Sequence, residues 1–258
     1  MVRVMILWGL GFNCEEETEA AYRMAGAKPV LVHVNEFLKE TYTLANFDIL
    51  HIPGGFSFGD HLGAGRVLAN RLRFKRTSEK KTFRQELLDF TKRGGFILGV
   101  CNGFQILVAL NLFPGLSEED EPRLSLVQNA SGQFQNQWVN CSFNPQSPLA
   151  VLGHGDLIPL PMRHGEGRLH VPDKHTQVLL RGGNLLALSY LGENPNGSFE
   201  SCAGLSDPSG RIFGMMPHPE AFLSAYNHPD WSRKRIEDAK GAGLVFFENL
   251  LSHVRGSR

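Results

Sequence analysis

The sequence predicts an α/β protein built on a doubly wound, mostly parallel sheet with added antiparallel strands. Near-continuous apolar runs recur in the first half of the chain, as is typical of parallel strands that are covered on both faces. These runs alternate with helical segments across short glycine or proline turns, which indicates βαβ connections. Beyond Pro114 the polar–apolar alternation becomes shorter, which favours antiparallel strands. No Pro- or Ser-rich linker separates the two parts, so we expect a single domain over residues 1–258.

The first half of the chain contains predicted strands at residues 2–8, 29–34, 47–52 and 96–100. Helices are predicted at residues 15–24, 63–72 and 81–92. The first of these helices has an acidic first turn, which complements the helix dipole. In doubly wound sheets, ligands bind at the carboxyl ends of the strands. Residues 9–13, residues 54–58 and Cys101 all follow such ends, so we expect them to lie close together.

The second half of the chain has β character at residues 124–143 and 157–164, and buried-strand composition at residues 185–191 and 211–216. An amphipathic helix is predicted at residues 243–254, at the end of the chain. Residues 224–241 are polar and charged, and we interpret them as a surface excursion.

Charge and cysteine content restrict the function classes. The chain has 26 basic and 26 acidic residues, and this zero net charge argues against nucleic acid or an anionic membrane surface as a partner. The four cysteines are widely spaced, without a CxxC pair or metal-ligand spacing, which suits a reducing compartment. No apolar run reaches membrane-spanning length, and the N-terminal strand is too short for a signal sequence. We therefore expect a soluble cytoplasmic protein without a metal or cofactor.

A sharp strand–turn–helix segment surrounds Cys101. The predicted strand reaches Gly99, and Gly103 opens an apolar helical segment, which is the layout of a nucleophile elbow. Glycine at both positions avoids a clash with the nucleophile in so tight a turn. Cys101 would then lie at a helix N-terminus that favours a thiolate, and the N–H of Asn102 would point to a developing oxyanion. A buried structural cysteine between loop glycines is the alternative.

A second candidate segment carries His218 and Glu220, just after the strand predicted over residues 211–216. In extended backbone, residues two apart project to the same side, so Glu220 can orient the imidazole and stabilise the imidazolium form. We expect Pro217 and Pro219 to fix that extended conformation. The alternative is a proline-stiffened surface turn with an incidental charge pair.

Two further positions are candidates for substrate contact. Gly54 and Gly55 end the strand that should neighbour the elbow strand, and a backbone N–H there would complete an oxyanion hole. A simple strand-to-helix turn is the alternative. Gln105 lies one helical turn after Cys101 and is expected to face the pocket. Its carboxamide would bind a polar substrate or, alternatively, pack inside the helix.

These segments resemble the motifs of the class I glutamine amidotransferases, with LGVCNGFQ at residues 98–105 and PHPE at residues 217–220. Within that class the chain is most similar to the glutaminase subunits of phosphoribosylformylglycinamidine synthase. The matching stretches are residues 13–15, 54–65, 164–168, 194–198 and 214–220. The resemblance covers nearly the whole chain and implies a flavodoxin-like sheet. Residues 8–9, 73–81 and 224–241 depart from the commonest form of these subunits.

The resemblance also implies roles for individual residues. Cys101 would attack the side-chain amide of glutamine, His218 would protonate the departing ammonia, and Glu220 would complete the triad. The resulting glutamyl thioester would then be hydrolysed. The implied oxyanion donors are the backbone N–H groups of Gly55 and Asn102. The implied substrate contacts are Gln105, His164, Gly165 and Glu166, the last three of which lie in a loop that a pairing of His164 with Glu166 would equally explain.

By the same resemblance, L-glutamine is the substrate, and ammonia passes to a separate ATP-using synthetase subunit that converts formylglycinamide ribonucleotide to its amidine. Whether a small third subunit is required stays open. A class I glutaminase that serves another acceptor, such as a pyrimidine or a cofactor ring, is the alternative within the class. A nucleotide-sensing module is the alternative outside it, because Gly9, Gly11 and Glu36 resemble a truncated dinucleotide fingerprint. No GxxxxGK[ST] phosphate loop occurs, so this chain should not hydrolyse ATP itself.

Overall fold

The computed structural model describes residues 1–113, 124–234 and 240–256. Within these ranges nine strands form one sheet, and a further two form a small antiparallel sheet. The order across the large sheet is β2 (Lys28–His33), β1 (Arg3–Trp8), β3 (Ile49–Ile52), β4 (Phe96–Val100), β11 (Ile212–Met215), β10 (Cys202–Ser206), β9 (Leu186–Tyr190), β6 (Gln135–Phe143) and β7 (Ile158–His164). The small sheet pairs β5 (Ser125–Gln128) with β8 (Glu166–His170).

The type of strand pairing changes once across the large sheet, from parallel to antiparallel. From β2 to β11 every pair is parallel, and from β11 to β7 every pair is antiparallel. The predicted fold class is therefore confirmed, including the antiparallel strands contributed by the second half of the chain. The prediction that the third strand neighbours the elbow strand is also correct, since Ile52 pairs with Gly99.

Helices cover both faces of the parallel part of the sheet. The helices among the described residues are α1 (Glu15–Met24), α2 (Val34–Leu38), α3 (Arg66–Phe74), α4 (Phe83–Lys92), α5 (Asn102–Ala109), α6 (Lys174–Gly182), α7 (Trp231–Lys234) and α8 (Ala242–Gly256), of which α6 and α7 belong to the second half of the chain and are not among those that cover the parallel strands. The ring of Phe96 in β4 contacts His253 of α8, whereas the Cα of Gly99 faces Gly103 of α5. Because these two positions differ in parity along β4, α8 and α5 lie on opposite faces of the sheet. None of the helices among the described residues is long and apolar enough to cross a membrane.

Several element boundaries differ from the prediction for local reasons. The second strand ends one residue early because the side chain of His33 caps α2 together with Glu36. The third helix begins at Arg66 rather than at residue 63, since Gly63 and Gly65 both have positive φ values, of 100° and 70°. The predicted β region 124–143 divides into β5 and β6 at a turn around Gly132, which also has positive φ. Helices α2, α6 and α7 and strands β8 and β10 were absent from the prediction, which interpreted residues 164–168 as a loop.

The interpretation of residues 224–241 as a surface excursion is only partly correct. Ala225 is buried, and His228 is 8% exposed. The His228 ring lies 4.7 Å from that of Trp138 and 5.8 Å from that of Phe222, measured between centroids. This part of the segment is therefore packed against β6. Residues 235–239 of the segment lie outside the described residues.

Candidate active site

Cys101 occupies a strained turn at the carboxyl end of β4. Its φ of 51° and ψ of −104° lie outside the usual regions for a residue with a Cβ, and α5 begins at the next residue. A Cβ added at Gly99 would lie 2.7 Å from the carbonyl group of Gly103, and one at Gly103 would collide with the carbonyl oxygen of Ile52. Both glycines are therefore required, but their crowding partners are α5 and β3 rather than Cys101 itself.

The edge strand β7 passes beside the cysteine and the histidine. The Sγ of Cys101 lies 3.6 Å from the carbonyl oxygen of Arg163, and the backbone N–H of His218 donates to the carbonyl oxygen of Pro161 at 2.8 Å. Carbonyl groups two residues apart on a strand point the same way. Strand β7 thus holds the turn after β4 and the turn after β11 together, although it stands at the far end of the strand order.

His218 and Glu220 form a short, buried hydrogen bond. The Nδ1 of His218 lies 2.5 Å from the Oε1 of Glu220, and both side chains are almost fully buried. The carboxylate can only accept, so Nδ1 carries the proton and Nε2 is left as the basic nitrogen. Nε2 is buried and has no hydrogen-bond partner among the described residues. The imidazole is thus oriented by Glu220 with its basic nitrogen unused.

The backbone that brings this pair together differs from the prediction. Instead of continuing in extended conformation, the chain enters a 3₁₀ turn over Pro219–Ala221 directly after His218. Proline suits the first position of such a turn, because its φ is preset and it has no N–H to satisfy. The same-side projection of His218 and Glu220 therefore results from a tight turn and not from an extended strand.

Electrostatics favour the charged forms of both partners. Burial alone would lower the pKa of His218, but the charge of Glu220, and then the charge of Cys101, raise that pKa well above its ordinary value. Burial alone would raise the pKa of Glu220, but the imidazolium of His218 lowers it. The site is therefore arranged to stabilise an imidazolium next to Cys101.

Two backbone N–H groups are available near the cysteine. Asn102 is the first residue of α5, so its N–H has no acceptor within the helix. Gly55 forms an antiparallel bridge with Phe12, in which the hydrogen bonds are made by the flanking residues, so the N–H of Gly55 points away from that bridge. The φ of Gly55 is 137°, a conformation that favours glycine. These are the two groups expected from the sequence as oxyanion donors.

The residues predicted to contact substrate have partners within the chain. The Nε2 of Gln105 donates to the carbonyl oxygen of Glu166, and its Oε1 accepts from the Nδ2 of Asn102 at 3.0 Å. The Glu166 carboxylate accepts the N–H of Ala64 at 3.1 Å. Gln105 and Glu166 thus join α5, β8 and the loop after β3 at one border of the site.

The predicted alternative of a pairing between His164 and Glu166 is wrong. The Nδ1 of His164 lies 3.0 Å from the Oδ1 of Asn129, and the His164 ring packs over Gly167. Burial, and then the positive charge of His218, lower the pKa of His164 to about 4, so this ring stays neutral. Gly165 lies between His164 and Glu166 in the chain, and its carbonyl oxygen accepts a hydrogen bond from the N–H of Asn129 at 2.9 Å.

The structure adds a residue that the sequence analysis did not assign to the site. Cys14, just before α1, has its Sγ 3.9 Å from the Nδ1 of His218 and 3.3 Å from the Oδ1 of Asn13. Burial raises the pKa of the Cys14 thiol, which therefore stays protonated. Cys14, His218 and Glu220 are near enough to surround a metal ion, but the hydrogen bond between the last two already occupies Nδ1. In the sequence, the only indication that Cys14 belongs to the site was its place in the matching stretch 13–15.

The loop that resembles a dinucleotide fingerprint is used for internal packing. The carbonyl oxygens of Gly11 and Leu10 accept the N–H groups of Phe56 and Phe58, at 2.8 and 2.6 Å. A Cβ at Gly11 would collide with the carbonyl oxygen of Phe56. The helix that follows begins with the acidic residues 15–17, which repel phosphate from its N-terminus. These contacts argue against a nucleotide site there.

Comparisons with known proteins identify relatives that match nearly the whole chain. A family model described as "CobB/CobQ-like glutamine amidotransferase domain" matches residues 1–254. The phosphoribosylformylglycinamidine synthase subunit PurQ of Dehalococcoides mccartyi is 38% identical over 261 residues, covering 98% of this chain and 98% of the relative. The PurQ subunit of Aquifex aeolicus is 34% identical over 255 residues, covering 94% and 96%. A chain in the structure of PurLQS from Thermotoga maritima superposes with a TM-score of 0.73 at 28% identity, covering 98% of this chain and 99% of that one.

Proposed function

We propose a specific glutaminase function for this chain, which belongs to the family of CobB/CobQ-like glutamine amidotransferases. The chain would be the glutaminase subunit of a phosphoribosylformylglycinamidine synthase, the enzyme of which its relatives are named as subunit PurQ. The observation that carries the proposal is the buried hydrogen bond of 2.5 Å between His218 and Glu220, which leaves the basic Nε2 of the imidazole unused beside Cys101 at a strained elbow. That combination is what a cysteine nucleophile requires.

The first half of the reaction forms a thioester. The Nε2 of His218 takes the proton of the Cys101 thiol, and the thiolate attacks the amide carbon of the glutamine side chain. Charge developing on the amide oxygen is stabilised by the N–H groups of Gly55 and Asn102. The imidazolium then gives its proton to the amide nitrogen, the carbon–nitrogen bond breaks, and ammonia leaves.

The second half releases glutamate. His218, neutral again, takes a proton from a water molecule that attacks the glutamyl thioester, and it returns that proton to the Cys101 sulfur as the carbon–sulfur bond breaks. Glu220 stabilises the imidazolium that forms in each half, as the raised pKa of His218 and the lowered pKa of Glu220 indicate. The protonated thiol of Cys14 lies on the Nδ1 side of the ring, so it does not compete for Nε2.

The border of the site suits an amino acid substrate. Burial, and then the charge of Glu166, raise the pKa of Asp60, so these two carboxyl groups lie near each other on the loop after β3 and at the start of β8. A pair of carboxyl groups attracts a cation. We place the α-ammonium group of glutamine there and its side-chain amide at Cys101. In this arrangement the role of Gln105 is not limited to substrate contact. Its side chain also holds Glu166 in place through a hydrogen bond to the Glu166 backbone.

The ammonia would be consumed by a partner. This chain has no phosphate-binding loop motif, so activation of an amide oxygen by ATP is assigned to a separate synthetase subunit that converts formylglycinamide ribonucleotide to its amidine. Because Cys101 is buried, we expect low glutaminase activity for the isolated chain and an increase when the synthetase docks. All four cysteines are free, which supports a cytoplasmic location.

The test uses the complex of this chain with its synthetase. Cys101→Ala should abolish amidine formation from glutamine and leave ammonia-dependent amidine formation intact. Cys202→Ala, which alters a buried cysteine in β10, is the matched control and should keep both activities. A glutamine-like electrophile should label Cys101 alone, as mapped by mass spectrometry. Glutaminase turnover that survives Cys101→Ala would overturn the proposal.

A further inference from the structure

A second buried histidine lies in the core of the sheet. His51 is a polar residue within the apolar strand β3, and its side chain is fully buried. Its Nδ1 lies 3.1 Å from the hydroxyl of Tyr22 in α1, which is also fully buried. The ring of Phe247 in α8 stacks on His51 at 6.3 Å and meets Tyr22 edge-on at 4.9 Å. Three elements thus hold the imidazole of His51 in one orientation.

Two buried polar atoms in this region lack hydrogen-bond partners among the described residues. One is the Nε2 of His51, and the other is the Oε2 of Glu220, the carboxylate oxygen that does not bind His218. Buried polar groups are nearly always matched, and an N–H group and a carboxylate oxygen are complementary. The turn that carries Glu220 packs against both α1 and α8, the helices that carry Tyr22 and Phe247. The charge of Glu220 also raises the pKa of Tyr22, in keeping with one shared buried region.

The protonation state of His51 follows from its surroundings. Burial lowers the pKa of His51 to about 4, with a smaller opposing effect of Glu220, so the ring is neutral. Burial, and then the charge of Glu220, raise the pKa of Tyr22 well above its ordinary value, so the hydroxyl keeps its proton. If that proton is donated to Nδ1, Nε2 carries the ring proton. The opposite tautomer would direct a lone pair of Nε2 into the field of the carboxylate, which is unfavourable.

We propose that His51 is a positioning residue of the glutaminase site, with an Nε2–H group that is oriented by Tyr22 and directed at the Oε2 of Glu220. The inference rests on the proposed function, which it deepens. The N–H dipole favours the ionised form of Glu220 within a low-dielectric core, where such fields are strong. The carboxylate then stays charged and aligned on His218, and His218 can form the imidazolium that each half-reaction needs.

The other described side chains near the Glu220 carboxylate already have partners. The titratable side chains that share its field are His218, Cys14, Tyr22 and His51, and α8 contributes the apolar ring of Phe247. His218 already binds Oε1. Cys14 donates toward Asn13, and Tyr22 is engaged with His51. His51 is the remaining side chain of this group with a free donor.

The experiment compares pH profiles of kcat/KM for glutamine in the complete complex. His51→Leu removes the donor, so Glu220 should take up a proton at higher pH, and the acidic limb should move up by about one pH unit. On a limb of unit slope this shift corresponds to a loss of about tenfold at low pH, with little loss on the plateau. His51→Gln should restore most of the wild-type profile, since its side-chain amide carries an N–H near the position of Nε2. Tyr22→Phe keeps the aromatic ring of residue 22 but removes the hydroxyl that fixes the His51 tautomer. It should shift the acidic limb in the same direction as His51→Leu, but by a smaller amount.

A direct measurement guards against variants that fold poorly. In wild-type protein labelled with ¹⁵N on histidine, the His51 ring should show the Nε2–H tautomer, and its proton signal should move in Glu220→Gln. An acidic limb unchanged in His51→Leu, or an Nδ1–H tautomer in the wild type, would overturn the inference. Cys101→Ala is measured in the same assay, and activity retained by this variant would overturn the proposed function. If Cys101→Ala is inactive and the acidic limb of His51→Leu is unshifted, only the role of His51 is overturned.

Discussion

The side-chain oxygen of Asn102 accepts a hydrogen bond from the backbone N–H of Ser57 at 3.1 Å. This bond joins the turn after the proposed nucleophile, Cys101, to the loop that carries Gly55, so one residue links the two backbone groups proposed as oxyanion donors. The other end of the Asn102 amide donates to Gln105, which in turn donates to the backbone of Glu166. A continuous buried chain of hydrogen bonds therefore sets the distance between the loop after β3, the start of α5 and the start of β8.

Removing the Asn102 side chain should impair catalysis more than binding. Asn102→Ala releases the Gly55 loop, so we expect kcat for glutaminase to fall about tenfold to a hundredfold, below the full cost of losing an oxyanion donor. KM for glutamine should change little. Steady-state kinetics of the complex measure both constants. Asn144→Ala is the matched control, because it also loses one hydrogen bond to backbone, from the N–H of Gln146 at 2.9 Å, but in a turn away from the site. Equal effects of the two variants would contradict the role given to Asn102.

The contact between α5 and β3 makes Gly103 irreplaceable. The Cβ of Gly103→Ala would collide with the carbonyl oxygen of Ile52, so α5 must shift, and we expect a loss of about 3 kcal/mol in the free energy of unfolding. Gly182→Ala is the matched control, since Gly182 ends α6 with open space around it and should gain about 0.5 kcal/mol. Denaturant unfolding gives both values. A Gly103→Ala variant of wild-type stability would show that α5 can move freely.

Strain at the elbow predicts an inversion of the usual order of alanine and glycine. With φ of 51° and ψ of −104°, position 101 strains any residue that has a Cβ. Cys101→Gly should therefore unfold with a free energy about 1 kcal/mol higher than that of Cys101→Ala, although both are inactive. At Ser142, within strand β6, glycine should instead be less stable than alanine by about 0.5 kcal/mol. The same order at both positions would contradict strain at Cys101.

Two buried histidines predict that stability declines in mild acid. Burial lowers the pKa values of His51 and His164 from 6.5 to about 4 in the folded protein. The unfolded chain takes up these protons below pH 6.5, whereas the folded chain excludes them down to about pH 4. Stability is therefore complete above pH 6.5 and is lost as the pH falls toward 4, by up to about 3 kcal/mol for each histidine.

The measurement is the free energy of unfolding against pH for wild type and His164→Gln. The variant should lose less stability between pH 6.5 and 4 than the wild type, because one of the two buried rings is gone. His175→Gln, at an exposed position of α6, is the control and should follow the wild-type slope. Parallel slopes for His164→Gln and wild type would mean that His164 does not contribute.

Local chemistry determined the parts of this protein that were predicted best. Helix α1 and strand β4 have the predicted boundaries, because an acidic first turn and a glycine stop are signals within a few residues of the elements they mark. The candidate nucleophile at Cys101 was visible for the same reason, since glycines two residues to either side are typical of an elbow. Short elements such as α2 and β10 were missed because a few residues carry too little pattern to separate them from loops.

Only the tertiary structure decided how the candidate residues meet. In the sequence His51 is a lone polar residue in an apolar strand, and nothing local pairs it with Tyr22. Cys14 approaches His218 across 204 positions of the chain, and the edge strand β7 reaches the elbow through the carbonyl oxygen of Arg163. Such contacts depend on the order and curvature of the whole sheet, which arise from burying apolar faces together and leave no signature in neighbouring residues. The sequence by itself determined which groups are candidates for the chemistry, and the packing of distant segments determined their orientation, protonation and support.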